Sequence, residues 1–112
     1  MEHPYAATIF NNIGLVCWSK GEVSKAIDYY NKSLIIDEAV FGENHIETAS
    51  VYLNIGVLYS NIDPNIALVY LNKALTVFQQ KLGQTHINTR GAKEWIDKVN
   101  SSITHAPINN NG

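Results

Sequence analysis

An internal repeat of 41 to 42 residues runs through most of this 112-residue chain. Residues 3–17 align with residues 45–59 at an offset of 42, and later residues align at an offset of 41. The lost residue falls near Gly21, at a predicted turn, where deletions are tolerated best. Such a period predicts stacked structural units, because one unit cannot bury its apolar face alone. Aligned identical pairs include His3 with His45, Asn12 with Asn54, Gly14 with Gly56, Ala26 with Ala67, Lys32 with Lys73, Gly42 with Gly83 and His45 with His86.

Each repeat unit shows the apolar periodicity of two helices. In the first unit a short helix is followed, after Gly21, by a longer helix that Gly42 terminates. In the second unit, Asp63 and Pro64 are an N-cap and a first helical residue for the longer helix. A fifth helix is predicted at about 87–103, and no segment alternates like a β-strand. The sequence therefore predicts an all-α solenoid of antiparallel helix pairs with about five helices.

Small residues stand where the two helices of a unit must approach closely, at Gly14 and Ala26 and again at Gly56 and Ala67. With their large apolar neighbours, these residues resemble the tetratricopeptide repeat. The longer period and the Gly-x-x-His junctions resemble the kinesin-light-chain type of that repeat. This resemblance implies a right-handed superhelix. The matching positions are Phe10, Ile13, Gly14, Cys17, Ala26, Tyr30 and Ser33 in the first unit, and Tyr52, Ile55, Gly56, Tyr59, Ala67, Leu71 and Ala74 in the second.

The repeat divides the chain into four segments. Residues 3–44 and 45–85 are the two repeat units. Residues 86–103 are either a capping helix or a degenerate third repeat, because Lys93 and Asp97 stand where the motif has a large and a small apolar residue. The Asn-rich segment 104–112 is predicted to be a disordered tail.

Composition and charge exclude several classes of function. Eight basic residues against ten acidic ones give a formal net charge of −2, which argues against binding to nucleic acid. Neither a membrane-spanning apolar stretch nor a signal peptide is found, so we expect a cytoplasmic protein without membrane association. The single cysteine, Cys17, lies on the apolar face of its helix and is predicted to be a buried packing residue.

The histidines do not predict a metal site. His3, His45 and His86 recur at the repeat period, and equivalent residues of stacked units lie two helix widths of ~8–10 Å apart. Zinc ligands must all lie within ~2.3 Å of one ion, so we expect these histidines to be structural. No phosphate-binding loop, HExxH motif or nucleophile elbow is present. We therefore expect no cofactor and no enzymatic activity.

The first helices of stacked pairs line the concave side of a solenoid, where we expect a partner to bind. Asn12 and Asn54 take equivalent positions there, and a carboxamide can both donate to and accept from a peptide backbone. Similar asparagines line the peptide groove in the kinesin-light-chain-like family that the chain resembles. The predicted peptide-binding residues are Asn11, Asn12, Leu15, Trp18, Ser19, Leu53, Asn54, Val57 and Asn61.

Two functions stay open at this stage. The first is a non-catalytic module that binds a protein or an extended peptide in the concave groove. The alternative is a structural segment of a longer solenoid that self-associates, as in a homodimer joined through end helices, since two and a half units are near the minimum for a stable array. Asparagine is also frequent in this chain, so a repeated asparagine need not mark a groove. Members of the resembled family that clamp a terminal carboxylate use basic residues on these helices. A clamp is not expected here, because the residues at those positions are Thr8, Asn11, Ser50 and Asn54.

Overall fold

The computed structural model of the protein describes residues 3–104. Its helices are α1 Pro4–Ser19, α2 Val23–Phe41, α3 Ile46–Tyr59, α4 Pro64–Leu82 and α5 Ile87–Thr104. The described residues contain no strand, so the predicted all-α architecture with five helices is confirmed. Apart from Thr104, which ends α5, the predicted tail lies outside them. None of these five helices combines the length and the apolar character that crossing a bilayer requires.

The three recurring histidines cap helices at the unit junctions. The Nδ1 atoms of His3, His45 and His86 each accept a hydrogen bond from the backbone N–H two residues later, at 3.2, 3.1 and 3.1 Å. These bonds satisfy N–H groups that a helix start leaves without an intrahelical partner. The predicted structural role of the histidines is therefore confirmed. Asp63 caps α4 in the same manner, as predicted.

The two units are joined by a threonine that reaches back to a glycine. Gly42 and Gly83 end the longer helices with φ of 84° and 89°, the left-handed region that glycine tolerates best. The hydroxyls of Thr48 and Thr89 donate to the carbonyls of these glycines at 2.7 Å. Both threonines are fully buried. The hydroxyl therefore ties the end of one unit to the first helix of the next, and α5 starts with the same junction as α3.

Thr48→Val should lower the free energy of unfolding by about 1–3 kcal/mol, because it leaves the Gly42 carbonyl without its partner while preserving side-chain volume. Urea denaturation measures this loss. Ser50→Ala is the matched control, because among residues 3–104 the Ser50 hydroxyl bonds only within its own helix, to the Ile46 carbonyl. We expect the control to change stability by less than ~0.5 kcal/mol. Equal losses in the two variants would contradict the junction role of Thr48.

The helices pack as two pairs, α1 with α2 and α3 with α4, and α5 closes the stack against α4. The pairs are joined because α2 packs against α3. One continuous apolar core runs through both units, including Cys17, Ala26, Tyr30, Leu34, Val51, Tyr52, Ile55, Leu58, Ala74, Val77 and Phe78. This arrangement places α1, α3 and α5 as successive first helices of the stack.

Candidate functional site

The predicted binding residues lie on α1, on α3 and in the turn after α3. In helix-pair solenoids the first helices line the concave side. Asn12, Leu15, Trp18, Ser19 and Asn61 are exposed, whereas Asn11, Leu53, Asn54 and Val57 are half-buried. The two groups therefore have different roles, which their contacts define.

A hydrogen bond links α1 to α3 on this side of the stack. The Nδ2 atom of Asn54 donates to Oδ1 of Asn11 at 2.9 Å. Asn54 is thus half-buried and held by a side chain of the preceding first helix. Its equivalent Asn12 is exposed, because within residues 3–104 no first helix precedes α1.

The asparagine pair keeps hydrogen-bonding groups for a ligand. Among the described residues, neither Nδ2 of Asn11 nor Oδ1 of Asn54 takes part in another side-chain hydrogen bond. A carboxamide has two donor hydrogens and an acceptor oxygen. One donor group and one acceptor are thus available side by side, which is the complement of the C=O and N–H of a peptide chain.

Apolar surface continues from the asparagine pair along α1. Leu15 and Trp18 follow Asn11 by one and two helical turns, so the three side chains share a face. Each of the two apolar side chains is 39% exposed. Ser19 is also exposed, and its hydroxyl donates to the Val16 carbonyl of its own helix at 2.8 Å.

Leu53 and Val57 have mainly a packing role. Both lie half-buried against a small buried cluster formed by Ala67, Leu71 and Val99. They therefore support the contact of α3 and α4 with α5, and only part of each residue is exposed to a partner.

A cleft of about 270 Å³ lies between the end of α3 and α5. Its lining residues are Ser60, Asn61, Trp95, Lys98, Val99 and Ser102. The Lys98 ammonium lies 4.6 Å from the centroid of the Trp95 ring, within the range of a cation–π contact. The cleft therefore combines an aromatic face with a positive charge.

Of the residues around this cleft, the sequence predicted only Asn61. The missed signal is the repeat offset of 41, which, carried into α5, places Trp95 at the position of Asn54 and Lys98 at that of Val57. The residue at position 93 is a lysine and not the apolar residue of the motif, so the motif alone does not mark this helix as part of the surface. In the structure, Trp95 and Lys98 of this helix line one cleft together with Asn61.

Perturbed ionisation occurs in the core and at the unit junction. Burial raises the pKa of Tyr30 to about 12. Burial, together with the charge of Glu47, raises the pKa of Asp37 from 3.8 to about 6. Burial and the hydrogen bond to Glu38 also raise the pKa of Tyr52. Throughout residues 3–104, no group of three or more His, Cys, Asp or Glu side chains is arranged to hold a metal ion.

Comparison with known proteins identifies similar chains. A family model described as tetratricopeptide repeat matches residues 5–80. A mouse protein, tetratricopeptide repeat protein 23-like, is 40% identical over 42 residues, which is 38% of this chain and 9% of that protein. The crystal structure of BtubC (BKLC) from P. vanneervenii is similar at a TM-score of 0.66 and 25% identity, over 95% of this chain and 51% of that chain. The chain thus spans about half of BtubC and a small part of the mouse protein.

Proposed function

Because the chain belongs to the tetratricopeptide repeat family, we propose that it is a non-catalytic module that binds an extended segment of a partner protein along α1, α3 and α5. Solenoids of stacked helix pairs are protein–protein interaction modules that use an extended concave surface. The likeness to BtubC over nearly the whole chain supports this architecture, including the right-handed superhelix. The surface of the first helices is where this chain offers both polar and apolar groups.

The observation that carries the proposal is the Asn11–Asn54 pair. Each carboxamide is half-buried and held by the other, so binding a ligand costs little side-chain entropy. The available donor and acceptor fit the main chain of an extended peptide and do not read its sequence. The pair would therefore fix the path of the partner rather than select its side chains.

The side chains of the partner would be selected by the regions on either side of the asparagine pair. Leu15 and Trp18 offer exposed apolar surface on α1. The Trp95–Lys98 cleft offers an aromatic face and a cation. The partner segment that fits best carries an apolar side chain towards α1 and an acidic side chain towards α5.

The double substitution Asn11→Ala with Asn54→Ala should weaken binding about five- to a hundredfold, because it removes two hydrogen bonds of ~0.5–1.5 kcal/mol each and ~1.4 kcal/mol is one decade. The ligands are peptides selected from a random library against the full chain, and titration calorimetry measures their affinity. Circular dichroism verifies that the variant keeps its helices.

Asn12→Ala is the matched control, since Asn12 is exposed and makes no side-chain hydrogen bond with any residue of the described part. We expect it to leave both affinity and stability unchanged. Binding that survives the double substitution but is lost in Asn12→Ala would refute the role of the asparagine pair. Binding that neither variant affects would place the partner elsewhere on the molecule.

A further inference from the structure

A cleft of about 300 Å³ opens where the first repeat unit meets the second, and we call it the junction cleft. Its volume is at the lower end of the ~300–1,000 Å³ that is typical of ligand sites. The start of α1, the end of α2 and the start of α3 form its walls. The lining residues that matter for its chemistry are Tyr5, Thr8, Asp37, Phe41, His45 and Glu47.

Asp37 distinguishes this place from its equivalent in the second unit. The equivalent residue at the offset of 41 is Phe78, which is 1% exposed and belongs to the continuous apolar core. Asp37 is 4% exposed, and it lines the cleft. The three helix ends that surround this place are present in both units. The junction cleft therefore goes with the exchange of a large apolar side chain for a smaller acidic one.

The carboxylate of Asp37 has no partner among the described residues. Neither ion pair within residues 3–104 includes it. The one hydrogen bond that Asp37 accepts outside its own helix goes to its main-chain carbonyl, from the Thr48 hydroxyl at 3.4 Å. Every side-chain nitrogen or oxygen of this part of the chain that solvent cannot reach has a partner. The unpartnered carboxylate therefore keeps contact with solvent, which the junction cleft provides.

The charges around this carboxylate favour a cation. Burial, and then the charge of Glu47, raise the pKa of Asp37 to about 6, and the opposing effect of His45 does not offset them. None of the side chains that line the junction cleft belongs to a lysine or an arginine. A cation that enters the cleft would thus meet two carboxylates, one of them almost completely buried and without a partner.

Aromatic rings next to the carboxylates favour a planar cation. The rings of Phe41 and His45 stack with their centroids 4.3 Å apart and their planes 16° from parallel. Tyr5 contributes a third ring from α1. A guanidinium group stacks on ring faces while it donates hydrogen bonds in its own plane to carboxylates, whereas an ammonium is a compact point charge. The lining therefore matches a guanidinium group better than an ammonium group.

We propose that the junction cleft binds the guanidinium group of an arginine from a partner protein, with Asp37 and Glu47 accepting its hydrogen bonds. A protein source is favoured because Thr8 precedes Asn11 by three residues, so the cleft adjoins the proposed peptide surface on the same face of α1. The choice of source thus rests on the proposed function. The preference for a guanidinium group does not.

The first test uses the full chain and N-acetyl-arginine methylamide as the probe, with binding followed by backbone NMR shifts. We expect saturable shifts at Thr8, Asp37 and His45. Asp37→Asn should weaken binding about ten- to a hundredfold, because hydrogen bonds between charged groups are the strongest. Asp28→Asn is the matched control, since Asp28 is an exposed aspartate of the same helix. We expect the control to leave the affinity unchanged.

Two further variants separate binding from folding. Asp37→Phe gives the first unit the residue of the second, so it should fill the junction cleft and abolish binding while circular dichroism shows that the helices are kept. Glu47→Gln should weaken binding by up to about fivefold, as expected for a carboxylate that is exposed. The lysine analogue of the probe should bind more weakly than the arginine probe.

The source of the guanidinium group is tested with the library-selected peptides described above. These peptides should contain an arginine, and its replacement by the uncharged citrulline should weaken their binding to the unmodified chain but not to Asp37→Asn. Selected peptides that bind without an arginine would overturn the protein source.

Other results would overturn the site itself. They are the absence of saturable probe binding at the highest soluble concentration, equal affinities for the arginine and lysine probes, and equal losses in Asp37→Asn and Asp28→Asn. The substitution of Asn11 and Asn54 by alanine should leave the affinity for the probe unchanged, because neither residue lines the junction cleft. Failure of this proposal is therefore distinguishable from failure of the proposed peptide binding.

Discussion

Alanine in place of Gly14 or Gly56 should destabilise this protein, whereas alanine in place of Gly91 should stabilise it. A Cβ atom at Gly14 would lie 2.6 Å from two ring carbons of Tyr30. A Cβ atom at Gly56 would lie 2.7 Å from Leu71 side-chain carbons and 3.2 Å from the Ala67 carbonyl oxygen. Tyr30 and Leu71 are almost completely buried, so neither can move aside without disturbing the core.

We expect each substitution at the two close contacts to lower the free energy of unfolding by about 1–3 kcal/mol, as overpacking does. Nothing lies within 4 Å of a Cβ atom at Gly91, which is also helical. At position 91 alanine should therefore raise the free energy of unfolding by about 1 kcal/mol, which is the difference in helix propensity between alanine and glycine. Thermal unfolding separates the variants readily, because 1 kcal/mol shifts Tm by roughly 4–8 °C in a domain of this size. A stabilised Gly56→Ala variant would show that the helices do not approach as closely as the structure places them.

Asp37→Asn should stabilise the protein at neutral pH, and the gain should disappear in acid. Asp37 is 4% exposed and lies on α2 where the second unit has the buried Phe78. Burial, with a further contribution from the charge of Glu47 and an opposing one from His45, raises its pKa from 3.8 to about 6. The folded protein thus binds this proton more tightly than the unfolded chain does. The contribution of Asp37 favours folding below about pH 4 and is lost as the pH rises through 6.

Each pKa unit corresponds to about 1.4 kcal/mol, so we expect Asp37→Asn to raise the free energy of unfolding by up to ~3 kcal/mol at neutral pH and by almost nothing near pH 4. Urea denaturation at several pH values measures the difference. Asp28→Asn, at an exposed aspartate of the same helix, should change stability by less than ~0.5 kcal/mol at every pH. A gain from Asp37→Asn that is the same at pH 4 and at neutral pH would refute the raised pKa.

The junctions and the close helix contacts could be predicted because the residues responsible act locally and recur. A glycine after a long apolar stripe, Asp63 before Pro64, and a histidine at each repeat period all mark helix ends through bonds within a few residues. The small residues Gly14 and Gly56 mark the close approach of paired helices, because a side chain at either position would clash with the partner helix. Such features need no knowledge of the neighbouring unit.

The partner of Asn54 could not be predicted from the same alignment. The repeat alignment makes Asn54 equivalent to Asn12. In the structure, however, Asn54 forms a hydrogen bond with Asn11, which lies one residue before Asn12 on the preceding first helix. Positions that are equivalent in two units are one repeat apart in space and do not meet. Which side chains do meet is set by the angle and offset between neighbouring helices.

The sequence by itself determined the length of the repeat, the five helices, their capped ends and the apolar faces by which paired helices pack, because all of these depend on residue spacing along a helix. Only the tertiary structure decided which faces are covered. Ile9 and Val51 look alike in the sequence, yet one is 55% exposed and the other 2%. Asp37 likewise acquires its raised pKa from the helices around it. Burial and ionisation depend on neighbours that stacking brings together, and a linear pattern does not contain them.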